Sequence, residues 1–114
     1  MLLVLIGFFI LVAFGGAFLG MLEWRGRKLP LPVGLLHGLA AVAAIVLLVI
    51  HVVHAPHNLL VNSATMLFVL TALGGLLLFM FRAIRQPLPG FVLTLHAGFA
   101  VASIVLLSLG YLRG

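Results

Sequence analysis

The sequence predicts an all-α integral membrane four-helix bundle built from a duplicated two-helix hairpin. Three observations predict it. Apolar residues make up 66% of the chain and charged residues 6%, a balance that soluble domains do not sustain. Four apolar runs, 2–22, 33–55, 60–81 and 90–112, each reach the roughly 20 residues a helix needs to cross a bilayer. The chain also aligns with itself at an offset of 59 residues: 1–55 falls on 60–114 without a gap, with 19 of 55 positions identical.

The first run carries Gly15, Gly16 and Gly20 toward its end. No basic segment precedes it and positive charge follows it, so it reads as a retained span and not as a signal peptide. Glu23, the only acid in the chain, and Trp24 mark the membrane interface. A basic loop, 23–32, holds Arg25, Arg27 and Lys28, and its prolines end one helix and prepare the next. The second run contains His37, His51 and His54, is broken by Pro56, and turns at His57 and Asn58. The third run contains Gly74 and Gly75. A second basic loop, 82–89, holds Arg82 and Arg85. The fourth run contains His96 and ends near Tyr111 at the interface.

Leu meets Leu often by chance in so apolar a chain, so the rarer matches weigh more. Gly15-Gly16 aligns with Gly74-Gly75, Met21 with Met80, Leu29-Pro30 with Leu88-Pro89, and His37 with His96. Each copy holds two spans, so both have the same orientation. The pseudo-twofold axis is therefore expected along the membrane normal. Short connections make sequential helices antiparallel.

Behind the net charge of +5, five of the six cations are gathered in the two loops instead of spread along a face, and only Arg113 falls on the other side. That is a topology signal and gives no support to nucleic-acid binding. The positive-inside rule places loops 23–32 and 82–89 in the cytoplasm and both termini outside, in a multi-pass inner (cytoplasmic) membrane protein. The absence of cysteine excludes disulfides, thiolate-held iron–sulfur clusters and thioether-linked haem.

A histidine inside the bilayer is costly and faces a partner or a cavity. By the rise of the helix, His37 lies roughly 9 Å beyond its loop, and Gly15 and Gly16 roughly 11 Å before it. His96, Gly74 and Gly75 repeat this arrangement. The two histidines and four glycines are thus expected to form one layer. Such a layer meets the needs of haem b: two imidazoles to ligate iron, and glycines that let a flat ring approach the backbone. Arg25 and Arg82, with Arg27, Lys28 and Arg85, would neutralise propionates. Two other readings stay open. The glycines could be helix contact points and the histidines polar glue between the halves. A bare Zn²⁺ site would be two ligands short.

In these four spans, in His37 and His96, and in the glycines at their depth, the chain resembles the small four-helix membrane b-type cytochromes. That resemblance implies non-covalent haem held between helices by paired histidines. Larger relatives often carry two histidines about 14 residues apart on a ligand helix, for two stacked haems. His37 and His51 have that spacing, but the repeat-mate of His51 is Gly110, so a second haem lacks its obvious partner.

The outer histidines His51, His54 and His57 admit three readings. They could be a polar helix end. His51 could be one ligand of a second haem, completed by Met66 or another subunit. The cluster could bind a quinone head group, helped by Asn58 or Asn62. A copper or zinc site is a weaker fourth.

No nucleophile or acid pair appears, so independent bond-making chemistry is not expected. The function expected is electron transfer by a haem-b membrane protein, a small cytochrome subunit of a respiratory or dehydrogenase complex. It would exchange electrons with quinone or with a redox partner subunit, or work as a homo-oligomer. The alternative is a cofactor-free structural or anchor subunit. The lack of intramembrane acids argues against a third reading, a transporter or proton path.

Overall fold

The computed structural model describes residues 1–113. Four helices fill the chain: α1 (Leu2–Trp24), α2 (Leu31–His54), α3 (Leu59–Ala83) and α4 (Gly90–Arg113). All four are long and apolar enough to cross a membrane. Their bundle measures 44 × 22 × 19 Å, and its long dimension matches the roughly 40–45 Å of a bilayer with its headgroups. Outward faces are lined with large apolar side chains such as Leu11, Phe14, Leu70 and Val101, as lipid contact requires.

Each helix packs against its two sequence neighbours around the ring, α1 closing on α4. α1 and α3 are therefore diagonal partners, as are α2 and α4. Both basic connections lie at one end of the bundle, and both termini and the α2–α3 turn lie at the far end.

The helix boundaries differ slightly from those expected. α2 begins at Leu31, so Pro32 sits inside its first turn. Proline is tolerated there because a first-turn N–H has no helical acceptor to lose. α1 runs on through Glu23 and Trp24, and α3 through Arg82, so the loops are shorter than 23–32 and 82–89.

Both helices that enter the basic loops end in the same way. The N–H of Arg27 donates to the Leu22 carbonyl and that of Gly26 to Glu23; 59 residues on, Gln86 donates to Phe81 and Arg85 to Arg82. This is a Schellman ending, which needs a left-handed residue. Gly26 supplies it with φ 69°, whereas Arg85 does so with φ 60°.

The packed core occupies the half of the bundle away from the basic loops. Leu5, Ile6 and Phe9 meet Ala44, Leu48, Val61, Ala64, Phe68 and Leu107 there. Positions 59 apart take matching places: Leu48 and Leu107 are fully buried, as are Ala44 and Ser103. Phe9 and Phe68, on diagonal helices, stack across the bundle with centroids 3.9 Å apart and rings inclined by 15°. The buried hydroxyls of Thr65 and Ser103 donate to carbonyls one turn back in their own helices, Val61 and Phe99, so they cost little in an apolar interior. Toward the basic loops, Leu78 alone among the described apolar side chains is buried.

The second hairpin packs more closely than the first. Gly110 of α4 lies against Val61 and Leu60, where an added Cβ would come within 2.6 Å of Val61 Cγ2. Asn58 ties this crossing. Its Oδ1 accepts from the N–H groups of Leu60 and Val61, capping α3, and its Nδ2 donates to the Gly110 carbonyl at 3.1 Å.

Candidate functional site

The half-buried imidazoles of His37 and His96 lie on the diagonal pair α2 and α4, in the loosely packed half toward the basic loops. Each is seated on the glycine pair of its own hairpin. A methyl group on Gly16 would come within 2.9 Å of His37 Cε1 and 3.2 Å of its Nε2; one on Gly75 would meet His96 Cε1 at 2.9 Å. A methyl group on Gly15 or Gly74 would stand further off, at 3.6 Å from His37 Nδ1 and 3.7 Å from His96 Nδ1. The room that these glycines leave at the backbone is therefore occupied by the imidazoles themselves.

Nδ1 of His96 donates to the carbonyl of Thr71 at 2.8 Å. A carbonyl can only accept, so this bond puts the proton on Nδ1 and leaves the Nε2 lone pair of the neutral ring free. The matching acceptor for His37 is the carbonyl of Val12, 59 residues before Thr71. It lies beside His37 Nδ1, but the buried nitrogen does not complete a hydrogen bond of full geometry. The sequence could not reveal these two acceptors, because every residue carries a carbonyl and only the helix crossing selects one.

At the basic end, Arg27, Lys28, Arg82 and Arg85 line a cleft of about 310 Å³ between the two connections, with Glu23, Gln86 and an apolar edge of Leu29, Pro87 and Leu88. Arg82 is already committed. Its Nε donates to the Leu29 carbonyl at 2.8 Å and its Nη2 to the same oxygen, bracing α3 against the first loop. Arg25 is exposed and lies outside the cleft.

The outer histidines separate. His54 turns its Nδ1 back to the Ile50 carbonyl at 2.9 Å, and His57 Nδ1 accepts from Asn62 Nδ2 at 3.1 Å. Among the described residues no three His, Cys, Asp or Glu side chains gather to hold a metal ion. A bare copper or zinc site from His51, His54 and His57 is thereby overturned. Met66 is 71% exposed on the bundle surface and cannot complete a ligand pair with His51 inside it. Gly110, the repeat-mate of His51, has no space for a side chain. What the region does contain is a cavity of about 640 Å³, lined by His51, His57, Asn58, Asn62, Tyr111 and Arg113 with apolar walls from Leu2, Val52 and Val61.

No family model matches the chain, and no curated protein or solved structure matches it either.

Proposed function

We propose that the chain is a haem-b-binding membrane electron-transfer protein in which His37 and His96 would hold the iron. The observation that carries this reading is the Nδ1 bond from His96 to the Thr71 carbonyl. A histidine that ligates iron typically gives its second N–H to such an acceptor, which fixes the ring's tautomer and orientation and raises ligand basicity. The Val12 carbonyl takes the matching position for His37, whose Nδ1 does not complete that bond. Two neutral imidazoles, without thiolate or carboxylate, are a donor set that fits haem b and is too small for a bare zinc ion.

When bound, haem supplies reversible one-electron transfer, which no side chain of this protein provides by itself. The chain's own contribution is positional. Gly16 and Gly75 hold the imidazoles close to α1 and α3, and the Thr71 carbonyl sets the rotation of His96. The apolar spans keep water from the layer. Arg25 and Arg82, the first cations after the two glycine pairs, are the candidates for propionates. Because Arg82 is bonded to Leu29, it would have to exchange that partner. The larger outer cavity supports exchange with a quinone. It has the volume range of small-molecule sites, and the amide of Asn62 and the half-buried His51 can face a ring carbonyl. In this reading the chain serves as a small subunit of a respiratory or dehydrogenase complex, with both termini outside the inner membrane.

One observation favours the alternative, a cofactor-free anchor subunit. The same His96–Thr71 bond holds α4 to α3 without any ligand. A visible spectrum separates the two. Purified protein reconstituted with haem b is expected to show a reducible Soret and α band at a fixed stoichiometry. His37→Ala and His96→Ala should abolish it, and His57→Ala should not. A folded, colourless wild type that takes up no haem would end the haem reading in favour of the anchor.

A further inference from the structure

The cleft between the two basic connections shares Arg82 with the proposed haem site and otherwise stands apart from it. It brings together four cations, Arg27, Lys28, Arg82 and Arg85, and a single acid, Glu23. Glu23 is the only carboxylate side chain in the protein, so at least three of these charges have no side-chain counterion anywhere in the chain. Like charges gathered at one place repel, and a shared anion would relieve that repulsion. The cleft is not wholly polar. Leu29 and Leu88, half-buried, edge it with Pro87, at the end of the bundle where headgroups meet hydrocarbon.

The backbone distinguishes the two loops. Arg85 holds φ 60°, a left-handed conformation that costs a non-glycine residue, while its repeat-mate Gly26 meets the same requirement without strain. The strained copy is the one whose side chain lines the cleft. The helix ending requires a left-handed residue, so what distinguishes this copy is that an arginine, and not a glycine, fills the position.

We propose that this cleft is a binding site for a phosphate-bearing anion. At this depth the source is the headgroup of an acidic phospholipid, its phosphate set among Arg27, Lys28 and Arg85 and its glycerol against Leu29 and Leu88. Arg82 shapes the site by bracing the first loop through the Leu29 carbonyl. Both loops contribute, so one anion would clamp the two hairpins together at the end where the helix core is thinnest.

Native mass spectrometry of the delipidated full-length protein tests this with three probes: phosphatidylglycerol, phosphatidylcholine and inorganic phosphate. One phosphatidylglycerol per chain is expected, held in preference to phosphatidylcholine. Arg85→Gly should weaken it about fivefold, and Arg27→Gln together with Arg85→Gly about 30-fold. Arg85→Gly also relieves the left-handed strain, so a variant that melts higher yet binds less cannot be explained by misfolding. If millimolar inorganic phosphate displaces the lipid and binds by itself with the same dependence on Arg85, the site is confirmed with a free anion as its source. Equal binding of the two lipids, or binding unchanged in both variants, overturns the proposal. None of these readouts involves haem, so their failure leaves the electron-transfer reading untouched.

Discussion

The imidazole of His96 and the backbone carbonyl of Thr71 are joined at 2.8 Å across the α3–α4 crossing. This bond determines which ring nitrogen is free, and it has a direct spectroscopic consequence. In the protein without cofactor, ¹⁵N resonances of His96 should show a protonated Nδ1 and a bare Nε2, with slow exchange at Nδ1. A ring protonated at Nε2 instead would remove the main support for His96 as an iron ligand.

The glycine pairs are not equivalent within themselves. Gly16→Ala and Gly75→Ala put a methyl group within 2.9 Å of a rigid imidazole and should push the ring off α1 or α3. Gly15→Ala and Gly74→Ala make ordinary contacts at 3.6 and 3.7 Å. Haem affinity measured by titration should therefore fall at least tenfold in the first two, a loss of about 1.4 kcal/mol. It should change little in the second two. The same loss at all four positions would mean that the glycines serve helix packing generally and do not seat the histidines.

Gly110 and Asn58 jointly hold the tightest helix crossing. Gly110→Ala must displace Val61, whose Cγ2 would lie 2.6 Å from the new methyl group, and should cost about 1–3 kcal/mol. Asn58→Ala removes two capping bonds and the tie to the Gly110 carbonyl, and should cost about 1–2 kcal/mol. Because the two residues share one contact, the double variant should lose less than the sum of the singles. Unfolding monitored by circular dichroism in mild detergent checks both the sizes and the coupling.

Arg85→Gly should stabilise the folded protein by about 1 kcal/mol, since glycine accepts φ 60° without the Cβ clash that arginine bears. Gly26→Ala, at the matching position, should destabilise by a similar amount. Thermal melting of the two variants in the same detergent tests the pair, and opposite signs are the expected result.

Much of the architecture was legible in the residues. Apolar run length gave the number of spans. The 59-residue offset, with the rare matches at His37 and His96, pointed to two like hairpins. Depth counted from the loops placed each histidine level with a glycine pair, because a helix rises by a constant amount per residue. The offset did not indicate which side chains meet. Phe9 and Phe68 were one identical pair among many apolar ones, and only the crossing of diagonal helices makes them stack. The outer histidines looked like a cluster because they are close in sequence. His54 instead bonds back to its own helix, and His57 turns to Asn62 beyond the break at Pro56.

Composition and spacing by themselves determined that this protein is four apolar helices with two histidines at one depth and its cations gathered at one end. Both properties are one-dimensional: hydropathy sums along the chain, and depth follows from counting residues. The tertiary structure alone decided that the Thr71 and Val12 carbonyls face the imidazoles, that Gly110 leaves no room for a partner to His51, and that the two basic connections enclose a single cleft. These depend on how helices rotate and cross, which is set by the summed fit of many small contacts that no local run of residues encodes.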